Sequence, residues 1–320
     1  MYTERIRTSG RGLLSQVKPV FLIPAVATSL FGGLLAQEFA LIPGILHGWA
    51  VGLALYTAHL KDGYVDGHVR GEEQPTLSPR ENQVAIRMTS ASFLITMVAL
   101  WWYASLAAVL VTAPLWILAL LHAPYLDMHP VTVTVDYPIG IGLAVVGGYF
   151  VQTGQLPARI LGVSVMFVVL LSGVKVSTDR LDYTFDQSIG KRTVPVLLGN
   201  DAANVVAATF FFSTSLLVVG LVNAGLFPPI TAVAGVLPLF AASVGFVGSR
   251  RGTVRVQMFL TYPFAAILFS TYCWSTHCSV IQVLDLLRFT LIELPSCGCD
   301  TCGDRSAATS YCNYRLAKLN

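Results

Sequence analysis

Two clusters of acidic residues have types and spacing that could do chemistry. The first holds Asp62 and Asp66, and the second holds Asp179, Asp182 and Asp186. Each cluster contains two aspartates four positions apart, and side chains at that spacing share one face of a helix. Like charges so placed repel one another, so a cation between the carboxylates is the natural compensation.

A divalent cation that also binds a phosphate group would suit both clusters. Mg²⁺ is usually held by one or two carboxylates while substrate phosphates and waters complete its octahedron. Basic residues accompany each cluster, with Arg70 after the first and Lys191 and Arg192 after the second. These residues predict a diphosphate site bridged by Mg²⁺. Solvated helix ends are the competing interpretation, but the whole chain has only 17 acidic residues.

The composition indicates that the elements carrying these clusters lie in a membrane. Apolar residues make up 54% of the 320 residues and charged residues only 12%, whereas about a quarter of a typical soluble domain is charged. This excludes an ordinary cytosolic enzyme, a disordered scaffold and a nucleic-acid binder, because the net charge of +3 is too small for a polyanionic partner. The fold class predicted is an all-α, multi-pass transmembrane bundle.

Nine apolar stretches approach the roughly 20 residues that a helix needs to cross the hydrocarbon core. They are residues 20–36, 42–60, 93–103 (extending back towards 84), 105–121, 137–152, 160–176, 203–221, 229–247 and 256–274. Glycine and alanine within residues 139–148 predict close packing of the fifth helix on its neighbours. The acidic clusters follow the second and sixth stretches.

The basic residues predict which side of the membrane each loop faces. Arg159 is alone in the loops that nine spans place on one side. The opposite side carries the rest of the loop and N-terminal cations: Arg5, Arg7, Arg11, Lys18, Lys61, Arg70, Arg80, Arg87, Lys175, Arg180, Lys191, Arg192, Arg250, Arg251 and Arg255. By the positive-inside rule, the N-terminus and both acidic clusters face the cytoplasm.

The two acidic loops resemble those of the UbiA superfamily of intramembrane prenyltransferases. In the first motif the matching residues are Asp62, Asp66, Gly67, His68, Val69 and Arg70. In the second they are Asp179, Asp182, Asp186, Gly190, Arg192, Thr193, Pro195, Val196, Leu198 and Gly199, with Val194 for the usual leucine. The nine spans, with motifs after the second and sixth, agree with the family, and the resemblance covers residues 16–274.

Three positions depart from the family pattern. Ala58 and His59 replace the Asn and the first Asp of the leading motif. A Tyr-x-x-x-Lys element between the fourth and fifth spans appears as Tyr125 to His129, so that histidine replaces a fixed cation. Because histidine titrates near neutrality, diphosphate binding through His129 would depend on pH.

The resemblance implies transfer of an isoprenoid chain from a polyprenyl diphosphate to a hydrophobic, aromatic or lipid acceptor. It implies that Asp62, Asp66, Asp182 and Asp186 hold Mg²⁺, and that Asp179 either orients the acceptor or acts as a further metal ligand. The residues it implies for substrate binding are His68, Arg70, Tyr125, His129, Lys191 and Arg192.

Other activities were weighed against this one. A secondary transporter would place its carboxylates near the bilayer midplane, whereas these lie at helix ends. A CDP-alcohol phosphotransferase would gather its aspartates in one segment together with an Ala-Arg pair. A catalytically impaired UbiA-like binding protein is the remaining alternative, raised by Ala58 and His129.

The C-terminal part is interpreted separately, with residues 1–276 forming the intramembrane domain and 277–320 a tail. Within the tail we expect a short interfacial helix over residues 280–291, followed by a disordered segment that contains cysteines. Cys297, Cys299 and Cys302, with Cys312 further on, favour incidental or disulfide-bonded cysteines over a zinc site, because no second ligand pair follows at a familiar spacing.

Overall fold

A computed structural model describes residues 10–280, where every regular element is a helix. The long helices are α1 (Pro19–Leu34), α2 (Leu41–Tyr64), α3 (Pro79–Tyr103), α4 (Leu106–Leu121), α5 (Pro130–Thr153), α6 (Ala158–Asp179), α7 (Asn200–Asn223), α8 (Val236–Val247) and α9 (Arg250–Thr276). Short helices over Tyr183–Ser188 and Val194–Leu198 join α6 to α7. The predicted all-α fold is confirmed, and the tail with its Cys297–Cys312 group lies outside the described residues.

Eight of these helical stretches are long and apolar enough to cross a membrane. The first helix, Pro19–Leu34, has 16 residues and is therefore about 24 Å long. It is shorter than the bilayer's hydrocarbon core, which is about 30 Å thick. Eight spans and one shorter apolar helix thus stand where nine spans were expected. The stretch expected over residues 229–247 is also divided, because Pro229–Gly235 forms a 3₁₀ segment before α8 begins.

Several helices extend beyond the apolar runs that predicted them. The second helix continues from Tyr64 as a π-helical segment over Val65–Arg70. The third begins at Pro79, where Ser78 and Glu81 form a capping box that satisfies the first backbone N–H groups. Hydropathy alone could not place these ends, because a polar turn keeps its helical hydrogen bonds wherever its neighbours support it.

Close contact between α1 and α5 depends on glycines in both helices. A Cβ added at Gly148 would lie 2.0 Å from the carbonyl oxygen of Ser29, and one added at Gly32 would lie 2.1 Å from that of Val145. Small residues let helix backbones approach in this way. The close packing predicted for residues 139–148 is therefore present.

A buried histidine occupies the space beside Gly147, the residue before Gly148. His47 is fully buried, and its Nδ1 lies 2.7 Å from the hydroxyl of Ser29. Its Nε2 would be 2.2 Å from a Cβ at Gly147. The imidazole thus fills the gap that this glycine leaves, and joins α2 to α1 and α5.

The outer surface of the bundle is apolar. On α3 alone, Ile95, Val98 and Trp102 expose 70%, 65% and 85% of their surface. Soluble proteins rarely expose apolar patches that run along whole helices. Such a surface suits contact with lipid tails, as the composition predicted.

Candidate active site

Asp62 and Asp66 lie where α2 changes from α-helical to π-helical geometry. The change occurs at Val65, and the π-helical segment ends at Gly71, whose φ of 69° is in the left-handed region that favours glycine. π-Helical turns are rare and are frequently found at functional sites. Here the turn keeps both carboxylates at one end of α2.

A third carboxylate, from Asp127, completes this cluster. One oxygen from each of Asp62, Asp66 and Asp127 lies within 4.8 Å of the other two. Asp127 follows the π-helical segment His122–Leu126 at the end of α4, and is only 2% exposed. The sequence analysis did not select it, although it lies inside the Tyr125–His129 element that the family comparison pointed to.

Arg70 binds three carboxylates around the cluster. Its two terminal nitrogens donate to Asp127 at 2.5 and 3.1 Å, and one of them also reaches Asp66 at 3.3 Å. Its Nε lies 3.8 Å from Glu72. Burial raises the pKa of Glu72, although the charge of Arg70 opposes that effect. Arg70, which was predicted to bind the diphosphate, is thus held by carboxylates here, because a guanidinium can serve several of them at once.

Lys18, just before α1, contributes the second permanent cation. Its Nζ donates to Asp62 at 3.0 Å. Burial alone would lower the pKa of Lys18, but the carboxylate of Asp62 outweighs it, so the pKa is raised. The sequence analysis counted Lys18 only towards the charge bias. A basic residue immediately before the first apolar helix was the signal that could have selected it.

An imidazole connects the cluster to α5. The Nδ1–H of His122 donates to the carboxylate of Asp136, which is 5% exposed. The Nε2 of the same ring lies 3.8 Å from Oδ1 of Asp62. His122 is thus held by a buried carboxylate on one side and faces the aspartate cluster on the other.

A second histidine lies one turn before Asp62. His59 is 7% exposed, and its Nδ1 has no hydrogen-bond partner among the described residues. The ring of Phe21 lies 6.3 Å from the imidazole and 5.4 Å from the ring of Tyr137. These rings form an aromatic wall beside the cluster.

The second acidic motif is divided between buried and exposed side chains. Asp179 ends α6 and is 4% exposed; Lys175 donates to its Oδ1, while its Oδ2 is buried without a partner in the described part of the chain. Asp186 is also 4% exposed, and burial raises its pKa. Asp182 precedes the helix Tyr183–Ser188 and is exposed. The two side chains differ in burial, although the N–H of Asp186 donates to the carbonyl of Asp182 at 2.8 Å and so closes a helical turn between them.

Lys191 is within electrostatic range of both motifs. Its ammonium interacts electrostatically with Asp62 and Asp66 of the first and with Asp179 and Asp186 of the second. The turn that carries it is closed by a hydrogen bond from its backbone N–H to the carbonyl of Asp186 at 2.9 Å. The structure thus brings both motifs, which are more than a hundred residues apart, around one cation.

The residue after Asp179 points away from this site. Arg180 is 8% exposed and donates to the side chain of Asn204 on α7 at 2.5 Å. Burial, together with the nearby charge of Arg250, lowers its pKa. Arg180 therefore supports the packing of α6 on α7.

Four other residues selected from the sequence have different surroundings. His68 Nε2 lies 2.9 Å from the carbonyl of Leu77 and so holds the loop before α3. Tyr125 is 66% exposed, with Nζ of Lys61 5.9 Å from its ring centre. His129 is exposed, and its Nδ1 accepts the N–H of Val131 at the start of α5 at 3.3 Å. Arg192 is exposed.

The residues of the first cluster fit a hard divalent cation. Asp62, Asp66 and Asp127 offer carboxylate oxygens, which are the donors that Mg²⁺ prefers. With Glu72, four carboxylates surround the two permanent cations Lys18 and Arg70. The excess of negative charge can be compensated by a metal ion.

A sequence model described as the UbiA prenyltransferase family matches residues 25–262 of this chain. The match contains both acidic motifs and all helices from α2 to α8. A search of curated proteins found no match.

Several solved structures have a similar fold. An apo UbiA homolog from Aeropyrum pernix K1 is 19% identical, with a TM-score of 0.62 over 79% of this chain and 98% of that one. A UbiA homolog from Archaeoglobus fulgidus bound to DMAPP and Mg²⁺ is 17% identical, with a TM-score of 0.63 over 83% and 99%. A structure described as digeranylgeranylglyceryl phosphate synthase is 13% identical, with a TM-score of 0.64 over 82% and 97%.

Proposed function

Because this chain belongs to the UbiA prenyltransferase family, we propose that it moves an isoprenoid chain from a polyprenyl diphosphate to a hydrophobic acceptor, with Mg²⁺ as cofactor. The observation that carries the proposal is the cluster of Asp62, Asp66 and Asp127, together with the interaction of Lys191 with aspartates of both motifs. The similar fold from Archaeoglobus fulgidus, described as bound to DMAPP and Mg²⁺, supports the same choice of donor and metal.

The proposed metal ligands are Asp62, Asp66 and Asp127 of the first cluster, and Asp186 of the second motif. Asp182 remains a candidate through its match to the family motif. Bound Mg²⁺ would supply positive charge that neutralises the charge developing on the leaving diphosphate.

The chain's own cations would orient the diphosphate. Lys191 is within electrostatic range of both motifs, and Arg70 already presents a guanidinium beside Asp66. Arginine and lysine both bind phosphate oxygens, arginine with two parallel hydrogen bonds. The aromatic wall of Phe21, His59 and Tyr137 adjoins this position and would exclude water from the ionising bond.

Asp179 is proposed to face the acceptor. One carboxylate oxygen is occupied by Lys175 and the other is buried without a partner among the described residues. An unpartnered buried carboxylate oxygen can accept a hydrogen bond from a hydroxyl of the acceptor. That bond would orient the acceptor towards the reacting carbon of the prenyl diphosphate. The acceptor is proposed to be an aromatic ring or a lipid alcohol.

The orientation in the membrane is part of the same proposal. The excess of Lys and Arg in the loops that carry both motifs supports a cytoplasmic location for those loops and the N-terminus. An epitope inserted into the exposed loop at residues 73–76 is expected to react with antibody only after the membrane is permeabilised. Reaction in intact cells would contradict the orientation without affecting the chemistry.

Diphosphate release by the purified protein tests the activity. Wild-type protein in nanodiscs, supplied with Mg²⁺ and geranyl or geranylgeranyl diphosphate and a membrane extract as acceptor source, should release diphosphate and form a prenylated lipid. Asp62→Ala should abolish both. Folded wild-type protein that neither binds nor consumes these diphosphates contradicts the proposal. Binding without turnover for every acceptor supports instead the catalytically impaired binding protein.

A further inference from the structure

A cavity lies at the end of the bundle opposite the aspartates. Its volume is about 620 Å³, and its lining includes Glu38, Tyr149, Arg159 and Tyr272. Glu38 lies just before α2 begins at Leu41, whereas Asp62 is near its other end, about 30 Å away along the helix axis. The cavity is therefore separate from the proposed active site.

Arg159 in this cavity has no evident role in stabilising the fold. It makes no ion pair with any described carboxylate, and it occupies the first turn of α6, which begins at Ala158. A cation there is disfavoured, because the N-terminus of a helix carries partial positive charge. Arg159 is also the exception to the charge bias of the loops. These features favour a bound anion over a structural role.

The helix itself adds donors for such an anion. Pro157 precedes α6 and provides no side-chain cap. The first backbone hydrogen bonds of the helix are those from Ile160 and Leu161 to the carbonyl of Pro157, so the N–H groups of Ala158 and Arg159 stay available. Uncapped N–H groups beside a guanidinium form an anion site of the kind that binds phosphate.

The cavity is also lined by a carboxylate that makes no ion pair with Arg159. Glu38 is exposed and makes no ion pair among the described residues, although it lines the same cavity. A single phosphate would leave this carboxylate without a partner. One cation and one anion that line the same cavity without pairing with each other suit a ligand that carries both charges.

Several contacts fix the walls of the cavity. The side chain of Gln152 accepts the N–H of Ala40 at 2.7 Å and donates to its carbonyl at 3.2 Å. The backbone N–H of Ser279 donates to the carbonyl of Ala36 at 2.8 Å, and a disulfide joins Cys273 to Cys278. A site that is already ordered loses less entropy on binding.

Neighbouring tryptophans place the cavity at the level of lipid headgroups. Trp274, two residues after Tyr272, is 77% exposed, and Trp101 and Trp102 at the same end of α3 expose 60% and 85%. Tryptophan is enriched at the membrane–water interface. Leu35 and Leu226 form an apolar part of the lining that suits the glycerol and first methylenes of a lipid.

We propose that this cavity binds the headgroup of a zwitterionic phospholipid of the phosphoethanolamine type. The phosphate lies against Arg159 and the start of α6, and the ammonium lies against Glu38. No bond is made or broken, and the lipid acts as a bound structural ligand.

Thermal unfolding of delipidated protein in detergent tests this assignment. Phosphatidylethanolamine should raise the Tm of wild-type protein in a saturable manner. Arg159→Gln should weaken its apparent affinity by roughly tenfold or more, because a charge-assisted bond is lost. Arg251→Gln removes an exposed arginine at the other end of the bundle and should behave like wild type.

Glu38→Gln gives a more specific result. Removing the carboxylate leaves a site for an anion alone, so the preference should shift from phosphatidylethanolamine towards phosphatidylglycerol. Equal responses of wild type, Arg159→Gln and Glu38→Gln to both lipids overturn the proposal. Glycerophosphoethanolamine, which has no acyl chains, should be far weaker than the lipid; equal potency overturns a membrane lipid as the ligand.

The lipid site and the transferase activity can fail independently. Neither Arg159 nor Glu38 lies near the aspartates, so prenyl diphosphate binding with Mg²⁺ should be unchanged in both variants. A protein without transferase activity could still show the lipid response, and an active transferase could lack it.

Discussion

Arg70 holds the buried carboxylate of Asp127 with both terminal nitrogens, at 2.5 and 3.1 Å. This bidentate contact joins the end of α2 to the segment after α4, two parts of the chain 57 positions apart. The same guanidinium contacts Asp66. The position of the third carboxylate therefore depends on Arg70.

Arg70→Lys should weaken the cluster without removing its charge. Lysine cannot make two parallel bonds to one carboxylate, so Asp127 would be less well fixed. The KM for prenyl diphosphate should rise by about tenfold, while the Tm changes by only a few degrees. Steady-state kinetics measure this effect. Arg80→Lys, at an exposed position near the start of α3, is the matched control, and an equal effect there would contradict the role of the bidentate contact.

Asp127→Asn tests the carboxylate that only the structure identified. Asparagine keeps the shape and removes the charge, so metal affinity should fall by about ten- to a hundredfold. Mn²⁺ binding followed by electron paramagnetic resonance gives this affinity without requiring turnover. Asp201→Asn, in the first turn of α7, should retain wild-type affinity. Unchanged Mn²⁺ binding by Asp127→Asn would remove that residue from the proposed metal site.

His122 and Asp136 are proposed to position Asp62. Asparagine at position 122 can keep the contact of Nδ1 with Asp136 but cannot reach Asp62, whereas glutamine can reach the position of Nε2. His122→Asn and Asp136→Asn should each lower Mn²⁺ affinity by about tenfold, and His122→Gln should lower it less. A purely structural role would instead lower the Tm of all three variants and leave Mn²⁺ affinity unchanged.

His129 lies two residues after Asp127, but we expect it to contribute little to diphosphate binding. Because its Nδ1 accepts the N–H of Val131 at the start of α5, His129→Ala should affect stability modestly and diphosphate affinity by less than about twofold. A large loss of diphosphate affinity in this variant would restore the interpretation based on the family's Tyr-x-x-x-Lys element.

Gly148→Ala should destabilise the bundle strongly. Its new Cβ would meet the backbone oxygen of Ser29 at 2.0 Å, and backbone cannot move aside cheaply, so we expect a loss of about 3 kcal/mol or more. Gly220→Ala, on the exposed face of α7 with nothing within 4 Å, should be neutral or slightly stabilising. Thermal unfolding of both variants in the same detergent compares them. Equal Tm values would mean that α1 and α5 do not pack as closely as described.

Local features were predictable from the sequence. Long apolar runs identified the helices, because a backbone in hydrocarbon must satisfy its own hydrogen bonds. The fold and the UbiA family were correctly inferred, and Asp62 and Asp66 lie together as their spacing implied. The different burial of Asp182 and Asp186 was not predictable, because it depends on how the segment after α6 packs against the rest of the bundle.

The scarcity of charge in the sequence determined that this protein belongs in a membrane, and the distribution of that charge assigned its proposed chemistry to one end of the bundle. Only the tertiary structure decided which side chains complete that chemistry. Lys18, His122 and Asp127 stand in no repeating pattern, and they meet Asp62 only because the segments that carry them pack around α2. Asp136 joins them through its contact with His122. Hydropathy and spacing depend on nearby residues along the chain. Contacts between distant residues depend instead on helix approach, which here is set by single glycines such as Gly148.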